Sequence, residues 1–196
     1  MEISNAYDKY YSMKHLTVLL TIVFISLISS PSWSETIGNL VKRNDLYYKK
    51  FTNVPFTGEI SEEKYKGHFK DGLKNGSWQY YTESEQLERE ESWKDGVREG
   101  RWAFYGKDGS LERSGNVKND KQEGTWEQYS KDGQLSSLEN YKNGAKHGVW
   151  KYFLQGKLLA LITYKDGVEH GLYEEYDMST YKLIVTKTFK NGKLVE

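Results

Sequence analysis

The chain has no cysteine. That removes a disulfide framework, a thiolate metal site, a cysteine nucleophile and a lipid-bearing cysteine together. It holds only 2 prolines. Neither sign of charge prevails, since Lys+Arg is 28 and Asp+Glu is 28, a formal net charge of +0. A nucleic-acid binder works through phosphate neutralisation and draws on a basic surplus, so no nucleic-acid partner is expected. Long apolar runs are missing as well. The one sustained stretch, Leu16 to Ile28, has 13 residues, short of the roughly 20 that a spanning helix needs.

That stretch has another reading. Met13-Lys14-His15 precedes it, and Ser29-Ser30-Pro31-Ser32-Trp33-Ser34 follows. The order is a positive n-region, an apolar h-region and a small-x-small cleavage site, which predicts a signal peptide cut after Ser34. Residues 1–34 are then an N-terminal extension plus a cleaved signal, with Met13 as an alternative start. The mature chain begins at Glu35, without an integral span, in the periplasm or secreted.

What is abundant is aromatic and glycine: 16 Tyr, 6 Trp and 18 Gly. The pattern Tyr/Phe-Lys-[Asp/Asn]-Gly-x-x-x-Gly-x-Trp recurs, with starts at Phe69, Trp93, Val117, Tyr141, Tyr164 and Phe189, the last copy truncated. The starts are separated by 24, 24, 24, 23 and 25 residues. The tenth column holds Trp78, Trp102, Trp126, Trp150 and Tyr173; three residues later stand Tyr81, Tyr105, Tyr129, Phe153 and Tyr176. Turns follow, such as Lys107-Asp108-Gly109 and Lys131-Asp132-Gly133, where Asp-Gly favours a tight hairpin. Returning strands begin at Leu87, Leu111 and Leu135. Leu135 is an even offset from Tyr141, and Leu87 from Trp93, so each pair is expected to share a face.

Gly72, Gly96, Gly144, Gly167 and Gly192, with Gly76, Gly100, Gly124, Gly148 and Gly171, are expected to turn the chain into the next copy at positive φ. Each copy therefore reads as one β-hairpin of about 24 residues, and the fold class as all-β. The hairpins form an elongated single-layer antiparallel meander of about eleven strands at the usual spacing. Residues 35–68 act as a lead-in or cap, and residues 69–196 carry five repeats and a terminal half-copy. A lone hairpin is marginal in water, so neighbours must stabilise one another. The Trp column reads as that structural ladder. The Tyr column lies an odd offset away, hence on the opposite face, and reads as the partner-binding surface.

These motifs resemble MORN repeats (membrane occupation and recognition nexus), specifically the bacterial MORN-variant set labelled YwqK-family antitoxins of toxin–antitoxin systems. The resemblance covers about residues 46–196, including the lead-in from Leu46 through Gly58. It implies an elongated hairpin sheet that binds a protein, a toxin in the antitoxin case. Two residues depart from the motif: Asp120 replaces the first glycine of the third copy and Val117 its aromatic, which predicts a looser turn there. The export signal narrows the implication to a toxin acting in the periplasm or outside the cell. A structural or scaffolding module of the envelope and a glycan-binding surface protein are the alternatives. Neutral charge, with no polybasic cluster and no kinase motif, argues against membrane association and against a kinase.

Residues that break the repeat could carry chemistry, and they suggest none. His147 and His170 share a column with Asn75, Glu99 and Glu123, about 9.6 Å apart on alternate strands, too far for joint zinc ligation. Ser61-Glu62-Glu63-Lys64 fits S-x-x-K without the partner motifs of a β-lactamase. Glu83, Glu85, Glu88, Glu90 and Glu91 read as a solvated acidic face. No enzyme activity, cofactor or metal is expected. The open strand edge at Phe189–Glu196 invites edge-to-edge pairing with a second copy.

Overall fold

A computed structural model describes residues 34–195. The expected export segment falls, apart from Ser34, outside them. A short hairpin, β1 (Leu40–Arg43) and β2 (Leu46–Lys49), comes first. The main sheet then runs through β3 (Gly58–Ser61), β4 (Tyr65–Lys70), β5 (Leu73–Tyr81), β6 (Leu87–Lys94), β7 (Val97–Tyr105) and β8 (Leu111–Lys118). It continues with β9 (Lys121–Tyr129), β10 (Leu135–Lys142), β11 (Ala145–Lys146), β12 (Gly148–Leu154) and β13 (Lys157–Lys165). β14 (Val168–Tyr176), β15 (Leu183–Lys190) and β16 (Lys193–Leu194) complete it.

Sheet order follows chain order in 14 strands, all paired antiparallel. This is the hairpin meander of the repeat pattern. The strand number exceeds eleven because β3 and β4 extend the sheet below the first full motif, and a break at His147 divides one strand into β11 and β12.

The two ends of each hairpin are built differently. Asp71-Gly72, Asp95-Gly96, Asn143-Gly144 and Asp166-Gly167 have positive φ at both residues, the two-residue turn that matches strand twist. The opposite ends are longer, as in 106–110, where Asp108 Oδ1 accepts from Ser110 N at 3.0 Å. The second glycine of the motif does not reverse the chain. Gly76, Gly100, Gly124, Gly148 and Gly171 stand inside or at the start of strands with φ between 72 and 110. Around Gly100 the register with β6 jumps, from Trp93↔Arg98 to Glu91↔Trp102. That makes it a bulge glycine.

Bulges also correct the face expected for the returning leucines. Leu135 pairs with Tyr129 and Ser137 with Gln128, the ladder skipping Ser136. Directly paired residues share a face, so Leu135 stands on the face of Tyr129 and opposite to Tyr141. Leu87 likewise pairs with Tyr81.

The sheet is one layer thick along most of its length, and two at its start. There Leu40, Phe56, Ile60, Phe69 and Trp78 form a buried cluster with Tyr47, Tyr65, Tyr80 and Trp93 against it. Phe69 is 4.7 Å from Tyr47 and 4.9 Å from Trp78, ring to ring. The β1–β2 hairpin is tied down by Tyr47 N donating to Gly72 O and Phe56 N to Tyr47 O, both at 2.8 Å. It caps the ladder at that end, as a terminal repeat requires.

Candidate recognition surface

Register sets the two faces. On one, a row of directly paired residues crosses the sheet: Trp78–Glu91–Trp102–Gly115. The same row continues beyond β9 and β12 with Trp126 beside Glu139 and Trp150 beside Ile162, then Tyr173 and Lys187. Every second rung is aromatic; the rungs between are Glu91, Gly115, Glu139 and Ile162, with Lys187 after Tyr173. Glycine lets the indole lie on the backbone: a Cβ at Gly115 would sit 2.3 Å from Trp126 Cδ2, and one at Gly67 2.3 Å from Trp78 Cδ2. Trp78 and Trp126 are accordingly buried, and Trp150, beside Ile162, is buried as well. Their Nε1 groups donate to the carbonyls of His68, Asn116 and Asn140 at 3.0, 3.0 and 2.8 Å. Trp102 and Tyr173 are half-buried.

A single-layer sheet has no second layer to cover these rings, and long cations do it instead. Lys74, Arg98 and Lys146, one motif column, lie over Trp78, Trp102 and Trp150 at 4.2, 4.8 and 4.2 Å. Where that column holds Gln122, Arg113 crosses from the next strand onto Trp126 at 4.8 Å. Lys187 covers Tyr173 at 5.3 Å. The aliphatic stems exclude water while the charge meets the ring face.

Two buried carboxylates complete this face. Glu91, only 4% exposed, accepts from the Tyr80 hydroxyl at 3.0 Å and from Trp93 Nε1 at 2.9 Å. The Arg89 guanidinium stands 2.7 Å from it. Glu139 is held by Arg113 at 2.8 Å, the Tyr141 hydroxyl at 3.0 Å and Ser137 Oγ at 3.3 Å. Charges this deep are kept by partners. Burial pushes the Lys74 ammonium down to about 8, the nearby Glu91 opposing the shift. Burial, then the Glu91 charge, raises the Tyr80 hydroxyl. This corrects the solvated reading of the acidic run: Glu83, Glu85 and Glu88 are exposed, Glu90 is half-buried and Glu91 belongs to the core.

The opposite face carries the Tyr column. Tyr81, Tyr105, Tyr129, Phe153 and Tyr176 are each half-buried. The four tyrosine hydroxyls donate to acceptors on the same face: Tyr81 to Gln79 at 2.9 Å, Tyr105 to Glu90 at 2.9 Å, Tyr129 to Glu127 at 2.7 Å and Tyr176 to Glu174 at 2.6 Å. Burial and then Glu90 raise the Tyr105 hydroxyl; the Glu127 hydrogen bond does the same for Tyr129. These bonds fix the four tyrosine rings in orientation, and Lys66 also lies over the Tyr81 ring at 4.7 Å.

The histidines stand in or beside strands rather than in the turns: His68 in β4, His147 at the break between β11 and β12, and His170 in β14. His147 Nδ1 is 3.3 Å from Asp166 Oδ1, and His170 Nδ1 is 3.2 Å from Asn191 Oδ1. Asn75 donates to Asp95 in the same position at 3.0 Å, so this column clasps one turn to the next. Among the described residues no group of three or more His, Asp or Glu stands close enough to hold a metal ion. None of their helices is long and apolar enough to cross a membrane.

A β-hairpin repeat protein with one aromatic core face is the class these features define. Residues 74–95 and 122–143 match the MORN repeat variant. The matches cover the β5–β6 and β9–β10 hairpins, two repeats apart and each with a buried Trp and Glu. No curated protein matches the chain. Sequence reasoning missed Tyr80, Phe104 and Tyr152, a further set of rings on the Trp face. Gln128 and Glu175 interrupt their column, which hides it from a column count.

Proposed function

We propose that this chain is a non-catalytic, exported repeat protein that binds another protein through its tyrosine face. A YwqK-type antitoxin or immunity-like protein masking a toxin outside the cytoplasm is the form that its motif and its N-terminal segment together favour. One observation carries the reading: a file of half-buried rings, one per hairpin, on the face free of the cation-covered core. Rigid aromatic rings with a polar tip supply contact area at low entropic cost and are enriched at binding hot spots. Equivalent rings stand about 9.6 Å apart, two strand spacings, so the file can engage an extended surface rather than one small molecule.

Photo-crosslinking tests this directly. A benzoylphenylalanine at Tyr105 or Tyr129, in cells, is expected to trap one discrete adduct, absent when the probe replaces Tyr152 on the other face. Equal trapping from both faces, or none from the tyrosine face, would refute the assignment. Export is checked by the intact mass of the native protein from separated fractions. A periplasmic species beginning at Glu35 is expected; a cytoplasmic one retaining Met1 or Met13 contradicts export.

A further inference from the structure

The third copy breaks the aromatic ladder. Val117 occupies the column of Phe69, Trp93, Tyr141 and Tyr164, in which Phe69 and Tyr164 each pack on one Trp rung and Tyr141 bridges two. Tyr141 lies 6.5 Å from Trp126 and 5.2 Å from Trp150, and Tyr164 lies 5.4 Å from Trp150. Between Trp102 and Trp126 the valine leaves a hollow of about 220 Å³ walled by those indoles and by Phe104, with Arg98 and Arg113 lining it. A cavity of about 150 Å³ suffices to bind benzene.

The hollow also lacks a polar tip. In the flanking copies the bridging ring ends on a carboxylate, Trp93 on Glu91 and Tyr141 on Glu139. Gly115 stands in that column here, and the indole of Trp126 lies over it. Arg98 Nε and Arg113 Nε are both buried without a hydrogen-bond partner, although buried donors are nearly always paired. The one facing carboxylate, Asp120, accepts from the Arg98 backbone N–H at 3.2 Å and stays 3.8 Å from Arg98 Nε. Arg113 spends its Nη2 on Glu139 and Tyr141.

We infer that this hollow is a binding site for a single aromatic ring bearing an oxygen acceptor, a phenol or an aryl carboxylate. The ring takes the place of the missing rung between Trp102 and Trp126, and its oxygen accepts from Arg98 and Arg113. The site is on the face opposite the tyrosine file, so it stands or falls independently of the partner-binding proposal.

Titration of 4-hydroxyphenylacetate against the full chain tests it, read by the indole N–H resonances in ¹⁵N NMR. The Trp102 and Trp126 signals are expected to shift saturably, with a dissociation constant on the order of 1 mM for a ligand of this size, while Trp78 stays still and acetate moves nothing. Acetyl-Gly-Tyr-Gly-amide distinguishes the source: tighter saturation by the peptide identifies a tyrosine side chain, and saturation by the acid alone identifies a free aromatic acid. Val117→Tyr supplies the missing ring and should abolish the response while its melting temperature matches or exceeds that of the parent. Val117→Phe serves as the second closing variant. Absence of a saturable shift for either probe up to about 50 mM, or binding retained in the closed variants, would overturn the assignment.

Discussion

At the scale of single residues, space and backbone conformation separate the glycines. Gly115 has no positive φ and lies under Trp126, whereas Gly76 has φ 79 and open space around its Cα. Gly115→Ala should cost about 1–3 kcal/mol through overpacking, and Gly76→Ala about 1–2 kcal/mol through the left-handed backbone alone. In a Trp126→Ala background, itself about 3–5 kcal/mol less stable, the Gly115→Ala penalty should vanish in chemical denaturation; a penalty that persists would show that the indole is not what the glycine accommodates. Lys74 makes a pH prediction. Its folded pKa of about 8 lies below the ordinary 10.5, so the unfolded chain binds more protons between them and stability rises with pH from about 8 to 10. Above that window the raised Tyr80 hydroxyl reverses the slope, because the unfolded tyrosine ionises first. Lys74→Met should flatten the rise in melting temperature, and an unchanged slope would place its origin elsewhere.

At the scale of the hairpin, each two-residue turn is hydrogen-bonded to the strand that leaves the preceding one. The N–H groups of Gly96, Gly144, Gly167 and Gly192 donate to the carbonyls of Lys74, Gln122, Lys146 and Glu169 at 2.8–2.9 Å. In the third copy the donor is Asp120, at 3.2 Å and with φ 62. Non-glycine residues adopt that conformation at some cost, and the turn is looser there. Its amide should exchange with deuterium faster than those of Gly96 and Gly144, and equal protection would contradict a weaker clasp. Much of this level was legible beforehand: the 24-residue period, the columns and the Asp-Gly turns all rest on residue types that recur. The bulges were not. A bulge shifts every later parity count by one without requiring a distinctive side chain, which is why Leu135 stands with Tyr129. Glu91 was hidden by its neighbours, because a buried carboxylate and four more exposed ones read alike until Arg89, Tyr80 and Trp93 are seen around it.

At the scale of the whole sheet, the two ends are unequal. The start is covered by β1–β2 and Phe56, whereas Leu183, Ile184 and Leu194 near the last strands are exposed. Phe56→Ala should therefore lower stability by about 3–5 kcal/mol, and Leu194→Ala by within about 0.5 kcal/mol, compared by urea denaturation; similar losses would mean the cap is no cap. Between the ends, one face is committed to a core of indoles, cations and buried carboxylates, and the opposite, tyrosine face is the one proposed to meet a partner. The double variant Tyr105→Ala with Tyr129→Ala tests that division most directly, with melting temperature and adduct yield from a benzoylphenylalanine at Phe153 measured on the same protein. A melting temperature close to the parent's with the adduct lost is the predicted result. A collapsed melting temperature, or an adduct undiminished in a folded variant, would contradict it.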